Sequence, residues 1–124
     1  METSEIEEKV YTALKNNATI TGLLANADKS IFHLQAPEVF PELPILVYTP
    51  ISDVPALYGD NQEQLHRVTM RIHIVHGEYD YSELYSEIKN IMQALGFIRQ
   101  QTTTLIDDDG VKMLIIDFKI VIGG

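Results

Sequence analysis

An unbroken alternation of polar and apolar residues from Arg67 to Ile74 constrains the fold more than any other feature of the chain. This is the period of a β-strand with one face in a core and the other toward water or a partner. The apolar face is Val68, Met70, Ile72 and Ile74, and the polar face is Arg67, Thr69, Arg71 and His73. Two of the chain's three arginines lie on this polar face, although the formal net charge is -9. We therefore predict a cationic strand surface that meets an acidic surface, with another copy of the chain as the best candidate.

The size and composition indicate one ordinary globular domain over residues 1–124. A chain of this length buries roughly two-thirds of its unfolded surface, so it needs no disulfide to be stable. It has no cysteine, which excludes disulfides, thiolate metal sites and cysteine nucleophiles. The chain lacks an apolar run near the ~18 residues of a membrane span. It also begins with the acidic segment Met1–Glu5, so we expect a cytoplasmic protein with no membrane partner.

Two amphipathic helices are predicted, one at each side of the strand-rich centre. Ser4–Glu7 has the pattern of a capping box, with Ser4 as the N-cap, and Asn16-Asn17 ends the first helix. Thr19 is a candidate cap for a short second helix. The next long helix begins at a cap pattern over Asp80–Glu83 and ends at Gly96. Its apolar stripe comprises Leu84, Ile88, Ile91, Met92 and Leu95.

The remaining segments are predicted to be short strands and loops. Strands are expected over residues 30–34, 45–49, 65–75, 97–106 and 111–122. Pro50 is expected to end the second of these, and Ser52–Gln64 is predicted to be a long loop. Met113–Ile116 is apolar on both faces, so the last strand should lie centrally in the sheet. The strands occur in neighbouring groups, which predicts an α+β fold: a largely antiparallel sheet of about four to five strands with two main helices packed on one face.

No pattern in the sequence indicates catalysis, a metal or a cofactor. His66 and His76 share strand parity but are about ten residues apart, or roughly 33 Å along an extended strand, so they cannot share a metal ion. The glycines are too scattered for a phosphate loop, and no G-x-S-x-G segment occurs. Nine basic residues against 18 acidic ones argue against nucleic-acid binding. We therefore predict a protein that is not an enzyme and uses no cofactor, metal or sequence-specific nucleic acid.

The order of the elements resembles that of a known family. After the amphipathic N-terminal helix, the segments that carry the resemblance are Pro44–Tyr48, Arg67–Val75, Tyr81–Glu83, Leu95–Phe97 and Met113–Ile120. This order is similar to the tail-completion (tail terminator) proteins of long-tailed bacteriophages and their prophage relics. The resemblance implies a structural protein without cofactors. It also implies a ring, typically hexameric, at the head-proximal end of the tail tube, where it ends tube polymerisation and joins the tail to the head.

The resemblance also implies partners and a location. The partners would be further copies of the chain, the major tail tube protein and the head connector or stopper protein. The protein would work in the host cytoplasm during assembly and then in the virion tail at the head–tail junction. The strand from Arg67 and the loop Ser52–Gln64 would lie at the ring or lumen surfaces. The predicted interface residues are Arg67, Thr69, Arg71, His73, Tyr58, Asp60 and Glu63.

In this scheme Arg67 and Arg71 pair across subunits with acidic groups such as Glu63, Asp60 or Glu78. Two other functions remain open from the sequence. One is a neck or stopper protein, one layer closer to the head. The other, from a different class, is a small oligomeric ligand-binding domain or enzyme, which a concave pocket with converging polar groups would favour.

Overall fold

A five-stranded mixed sheet is the centre of the molecule. The computed structural model describes residues 2–34, 42–59, 62–77, 79–106 and 110–123, and at Tyr58 and Glu63 it describes the backbone alone. In chain order the elements are α1 (Thr3–Lys15), α2 (Ala18–Leu23), a 3-10 helix (Ala27–Ser30), β1 (Ile31–His33), β2 (Ile45–Gly59), β3 (Gln62–Val75), α3 (Ser82–Ala94), β4 (Ile98–Ile106) and β5 (Lys112–Gly123). This sequence of elements confirms the α+β prediction.

The strand order in the sheet is β1-β2-β3-β5-β4. The pairs β2–β3, β3–β5 and β4–β5 are antiparallel, as predicted. The short β1 is the exception, because it pairs in parallel with Leu46–Tyr48 of β2. The sheet is therefore mixed at one edge and antiparallel elsewhere.

The apolar face predicted on β3 forms the middle of the core. Val68, Met70, Ile72 and Ile74 are each 0% exposed. Met70, Ile72 and Ile74 belong to one buried cluster with the apolar stripes of α1 and α3. The stripe residues are Ile6, Val10 and Leu14 on α1 and Leu84, Ile88 and Met92 on α3. Both main helices therefore pack on the same face of the sheet, and no helix of the described residues covers the opposite face.

The predicted central position of the last strand is confirmed. β5 lies between β3 and β4 and buries Leu114, Ile116 and Phe118 toward the helices. On its other face Met113 packs against a small second cluster that includes Val47. Apolar contacts on both sides explain why this strand is apolar on both faces.

The loop predicted over Ser52–Gln64 is wrong. β2 continues through Pro50 and Pro55 to Gly59, with register irregularities at both prolines, and β3 begins at Gln62. Among the described strands, β2 has only β3 beside it after Tyr48, so a missing backbone N–H is tolerated on its outer edge. Residues 51–59 and 62–69 thus form one antiparallel ribbon, which we call the hairpin arm.

The predicted capping box at Ser4 is also wrong. α1 begins at Thr3 with Glu2 in the N-cap position, and no described side chain caps it there. The cap of α2 is Asn17 rather than Thr19, because the Asn17 side chain accepts a hydrogen bond from the backbone N–H three residues further on. Both helices thus begin two residues before the positions predicted from the sequence.

The boundaries of α3 agree with the sequence patterns that predicted them better than those of α1 and α2 do. The Asp80 carboxylate accepts a 2.9 Å hydrogen bond from the Ser82 backbone N–H at the start of the helix. Gly96, which follows the helix, has φ of +99°, the left-handed conformation that favours glycine. This turn leads directly into β4.

The two edges of the sheet differ in how they are protected. Within the described part of the chain β4 pairs only with β5, and all its residues except Thr102 are exposed. It contains no proline, glycine or lysine and presents the apolar side chains of Ile98, Leu105 and Ile106. The opposite edge carries Pro50 and Pro55. One edge is open, and the other has the proline protection typical of edge strands.

Two predicted loops lie partly outside the described residues. These are the proline-bearing segment over 35–44, of which residues 42–44 are described, and the turn over Asp107–Gly110, of which only Gly110 is described. Gly110 has φ of +81°, as expected of a turn glycine.

Candidate oligomer interface

The polar face of β3 lies on the side of the sheet opposite α1 and α3, where it forms the floor of a hollow of about 370 Å³. Residues from four neighbouring strands, β2, β3, β5 and β4, line it, and its polar lining includes Arg67, Thr69, Arg71, Gln101, Asp117 and Lys119. We call this hollow and its rim the sheet face. The alternation of β3 determines this placement, because the side chains between these residues face the core.

A buried ion pair organises the centre of the sheet face. Arg71 and Asp117 are directly opposite each other on β3 and β5. Arg71 donates from Nε to Oδ1 at 2.8 Å and from Nη2 to Oδ2 at 3.1 Å. Gln101 of β4 also donates to Oδ2 at 2.8 Å. The Asp117 side chain is only 4% exposed, against 35% for Arg71.

The pKa values of this pair shift as expected for two oppositely charged, hydrogen-bonded groups. The hydrogen bonds from Arg71 lower the pKa of Asp117, with Gln101 adding to the effect and burial opposing it. The same contact raises the pKa of Arg71. Both groups therefore stay charged across the ordinary pH range.

Sequence reasoning missed this pair. It placed Arg71 opposite an acid of a neighbouring copy, whereas the structure supplies Asp117 from the same chain, 46 residues away. A signal was present, because Asp117 is the only acidic residue in the largely apolar β5. What the sequence lacked was the register that brings the two strands together.

The rim of the sheet face carries cations without a described partner. Neither Arg67 nor Lys119 forms an ion pair with another described residue. Arg67 is opposite the exposed Val121, and Lys119 is opposite the exposed Ile98. Exposed apolar side chains beside cations that form no ion pair with a described residue are typical of an interaction surface.

The other predicted interface residues fall into two groups. Thr69 is buried and His73 half-buried, so both belong to the sheet surface beneath the rim. Burial and the nearby Arg71 lower the pKa of His73, and its Nδ1 has no hydrogen-bond partner among the described atoms.

Tyr58 and Glu63 are paired through their backbones near the tip of the hairpin arm. Their side chains, together with Asp60 and Glu78, lie outside the described residues.

A second polar cluster joins the hairpin arm to α1, and no sequence signal predicted it. Asp53 on the arm accepts a 2.5 Å hydrogen bond from Thr3 Oγ1 at the helix start and another 2.5 Å contact from Nδ1 of the buried His66. The hydrogen bonds from Thr3 and then His66 lower the pKa of Asp53. His66 thus has a structural role that ties β3, the arm and α1 together.

Within the described part of the chain, no group of three or more His, Asp or Glu side chains could hold a metal ion. None of the helices in those residues has the length and apolarity needed to cross a bilayer.

Comparison with known protein families identifies the class of protein to which the chain belongs. A family model described as "Tail completion protein gp17" matches residues 8–123. Proteins of this class are structural components of phage tails. The match covers nearly the whole chain, and the chain belongs to the tail completion protein gp17 family. No curated protein matches the chain.

The family confirms the resemblance read from the order of elements. The chain has a structural role in tail completion, its place is the virion tail, and its interactions are with other tail or head components.

Proposed function

We propose that this protein forms a ring of identical copies at the head-proximal end of the tail tube, where it ends tube polymerisation and joins the tail to the head. Family membership supports the general role. The observation that carries the ring is the sheet face, because an acidic chain presents the exposed Arg67 and the half-buried Lys119 beside the exposed apolar Val121 and Ile98. A surface of this kind fits contact with an acidic, partly apolar neighbour.

The proposed mechanism is geometric. A contact between two different patches on identical subunits closes into a ring when the rotation per subunit divides the circle. The interface residues are Arg67, Thr69, Arg71 and His73 on the sheet face, together with Tyr58, Asp60 and Glu63. Six copies is the number that the tail-completion resemblance implies. One ring face would match the tube protein and the other the head connector.

Charge and apolar contacts have different tasks in this ring. Isolated exposed ion pairs contribute only about 0–1 kcal/mol each, so they set register and partner choice. Exposed apolar side chains supply the association energy, at about 25 cal/mol for each Å² removed from water.

The test is electron microscopy of tails assembled in host cytoplasm without this protein. We expect overlong tails without heads, and normal tails when the wild-type chain is supplied in trans. The Lys29→Glu variant is a matched control, because Lys29 is exposed on the 3-10 helix and its loss changes charge away from the sheet face. Tails of normal length that lack heads would indicate a neck or stopper protein instead. Normal tails joined to heads would contradict both functions.

A further inference from the structure

An open apolar groove runs along the helix side of the molecule, away from the sheet face. It consists of two adjoining hollows of about 520 and 240 Å³, both lined by Lys9 and Leu95. Ile6 of α1 and Ile122 near the end of β5 form part of its apolar lining. We call it the α1 groove.

Acidic side chains flank the α1 groove. Glu2, Glu5 and Glu8 recur at every third position and are all exposed, and Glu5 and Glu8 line the larger hollow. Neither has an ion pair among the described residues, whereas Glu7 pairs with His33. With Lys9 included, this flank remains negative. The positive end of the helix dipole offsets the repulsion between these acids within one molecule.

The sheet face and the α1 groove are complementary. The first presents exposed Val121 beside Arg67 and exposed Ile98 beside Lys119. The second offers an apolar hollow bordered by Glu5 and Glu8. The two surfaces lie on opposite sides of the same sheet, so one molecule cannot join them to each other. A contact between them therefore has to involve two copies. Such a contact joins two different patches and is heterologous, and heterologous contacts can close into rings.

We propose that the sheet face of one copy docks into the α1 groove of the next, with Arg67 and Lys119 set against Glu5 and Glu8. This inference rests on the proposed ring and names the surface that its interface meets. It puts Glu5 and Glu8 in place of Glu63, Asp60 and Glu78 as the acidic partners of the sheet face. Arg71 takes no cross-subunit partner, because Asp117 already occupies its Nε and Nη2.

A charge exchange tests the docking directly. We expect Arg67→Glu with Lys119→Glu, and separately Glu5→Lys with Glu8→Lys, to abolish tail termination and give overlong tails. The chain with all four substitutions restores the opposite charges across the interface and should return tails to normal length. Glu83→Lys on α3 and Lys15→Glu at the end of α1 are matched controls that should leave termination unchanged, since both residues are exposed. Circular dichroism and thermal melting establish that each variant is folded.

The absence of cysteine allows a second test. A chain with Glu8→Cys and Arg67→Cys should, on oxidation in assembled tails, give a ladder of cross-linked species larger than a dimer. Each single variant should give no ladder, because a heterologous contact places two different residues together. A double variant that stops at dimers or does not cross-link would overturn the docking.

The two proposals can fail separately. If deletion of the protein gives overlong tails but folded charge-reversed variants still terminate them, the docking is wrong and the proposed function stands. If deletion leaves tails normal and joined to heads, the proposed function itself is wrong. Failure of the four-substitution chain to restore termination, when it is folded, also counts against the docking.

Discussion

At the scale of single residues, Asp117 is the most constrained side chain on the sheet face. A buried carboxylate is costly unless opposite charge and hydrogen bonds compensate for lost water, and Arg71 and Gln101 provide both. The pair is unequal, because Asp117 is almost fully covered while Arg71 keeps about a third of its side chain in water. Removing one partner should therefore have a different effect from removing the other.

We expect Arg71→Leu to lower the free energy of unfolding by about 3 kcal/mol or more, because it leaves a buried carboxylate unpaired. Asp117→Asn should cost about 1–2 kcal/mol, since the amide still accepts hydrogen bonds and Arg71 can reach water. Urea denaturation followed by circular dichroism measures both. Arg67→Leu serves as the control and should stay within about 0.5 kcal/mol of wild type, as an exposed residue without a described ion pair. Equal decreases in the free energy of unfolding for Arg71→Leu and Asp117→Asn would contradict the prediction that the more buried partner is the costlier one to leave unpaired.

The pH dependence of stability follows from the same carboxylate and from Asp53. Both have a folded-state pKa below the ordinary carboxyl value. Their stabilisation is therefore present above the unfolded pKa, about 4, and is lost as pH falls through the lower folded value. We expect the melting temperature to hold from pH 7 to about 5 and then to fall toward pH 3. Asp117→Asn should make that fall shallower, and an unchanged slope would show that Asp117 does not contribute.

At the scale of the elements, the hairpin arm shows where local signals mislead. Pro50 and Pro55 predict a break within the segment, yet β2 continues because none of the strands in the described residues lies beyond it at these prolines and needs their N–H. The arm is then fixed to α1 through Asp53, which contacts Thr3 and His66. The sequence alone could not predict this contact between the arm and α1, because Thr3 is 50 residues from Asp53.

We expect Asp53→Ala to loosen the hairpin arm more than the rest of the fold. The substitution removes two hydrogen bonds that join the arm to α1 and β3, so amides over residues 51–56 and 64–68 should exchange faster with deuterium. Amides of α3 and β5 should keep their protection, because the core that covers them is unchanged. Ser52→Ala, at an exposed neighbouring position, is the control. Uniformly faster exchange throughout the chain would show that the Asp53 hydrogen bonds support global stability instead.

At the scale of the whole molecule, periodicity predicted the core and the element order but not the surfaces between elements. Ile72 and Ile88 could be assigned to the interior because each strand or helix carries its own apolar pattern. The Arg71–Asp117 pair and the α1 groove depend on how separate elements are placed in space, which no local pattern contains. The alternation of β3 predicts that Arg67 is a surface cation. The acidic partners that we propose for it could be found only from the three-dimensional arrangement.

The unequal edges of the sheet limit how this protein can associate. Additional strands can join at β4, whereas Pro50 and Pro55 disfavour addition on the opposite side. Two molecules that met through β4 would consume both available edges, and growth along the sheet would stop at a pair. Indefinite stacking of sheets through backbone hydrogen bonds is thereby disfavoured. Any larger closed assembly therefore depends on contacts between side chains. Substitution of those side chains should change its geometry.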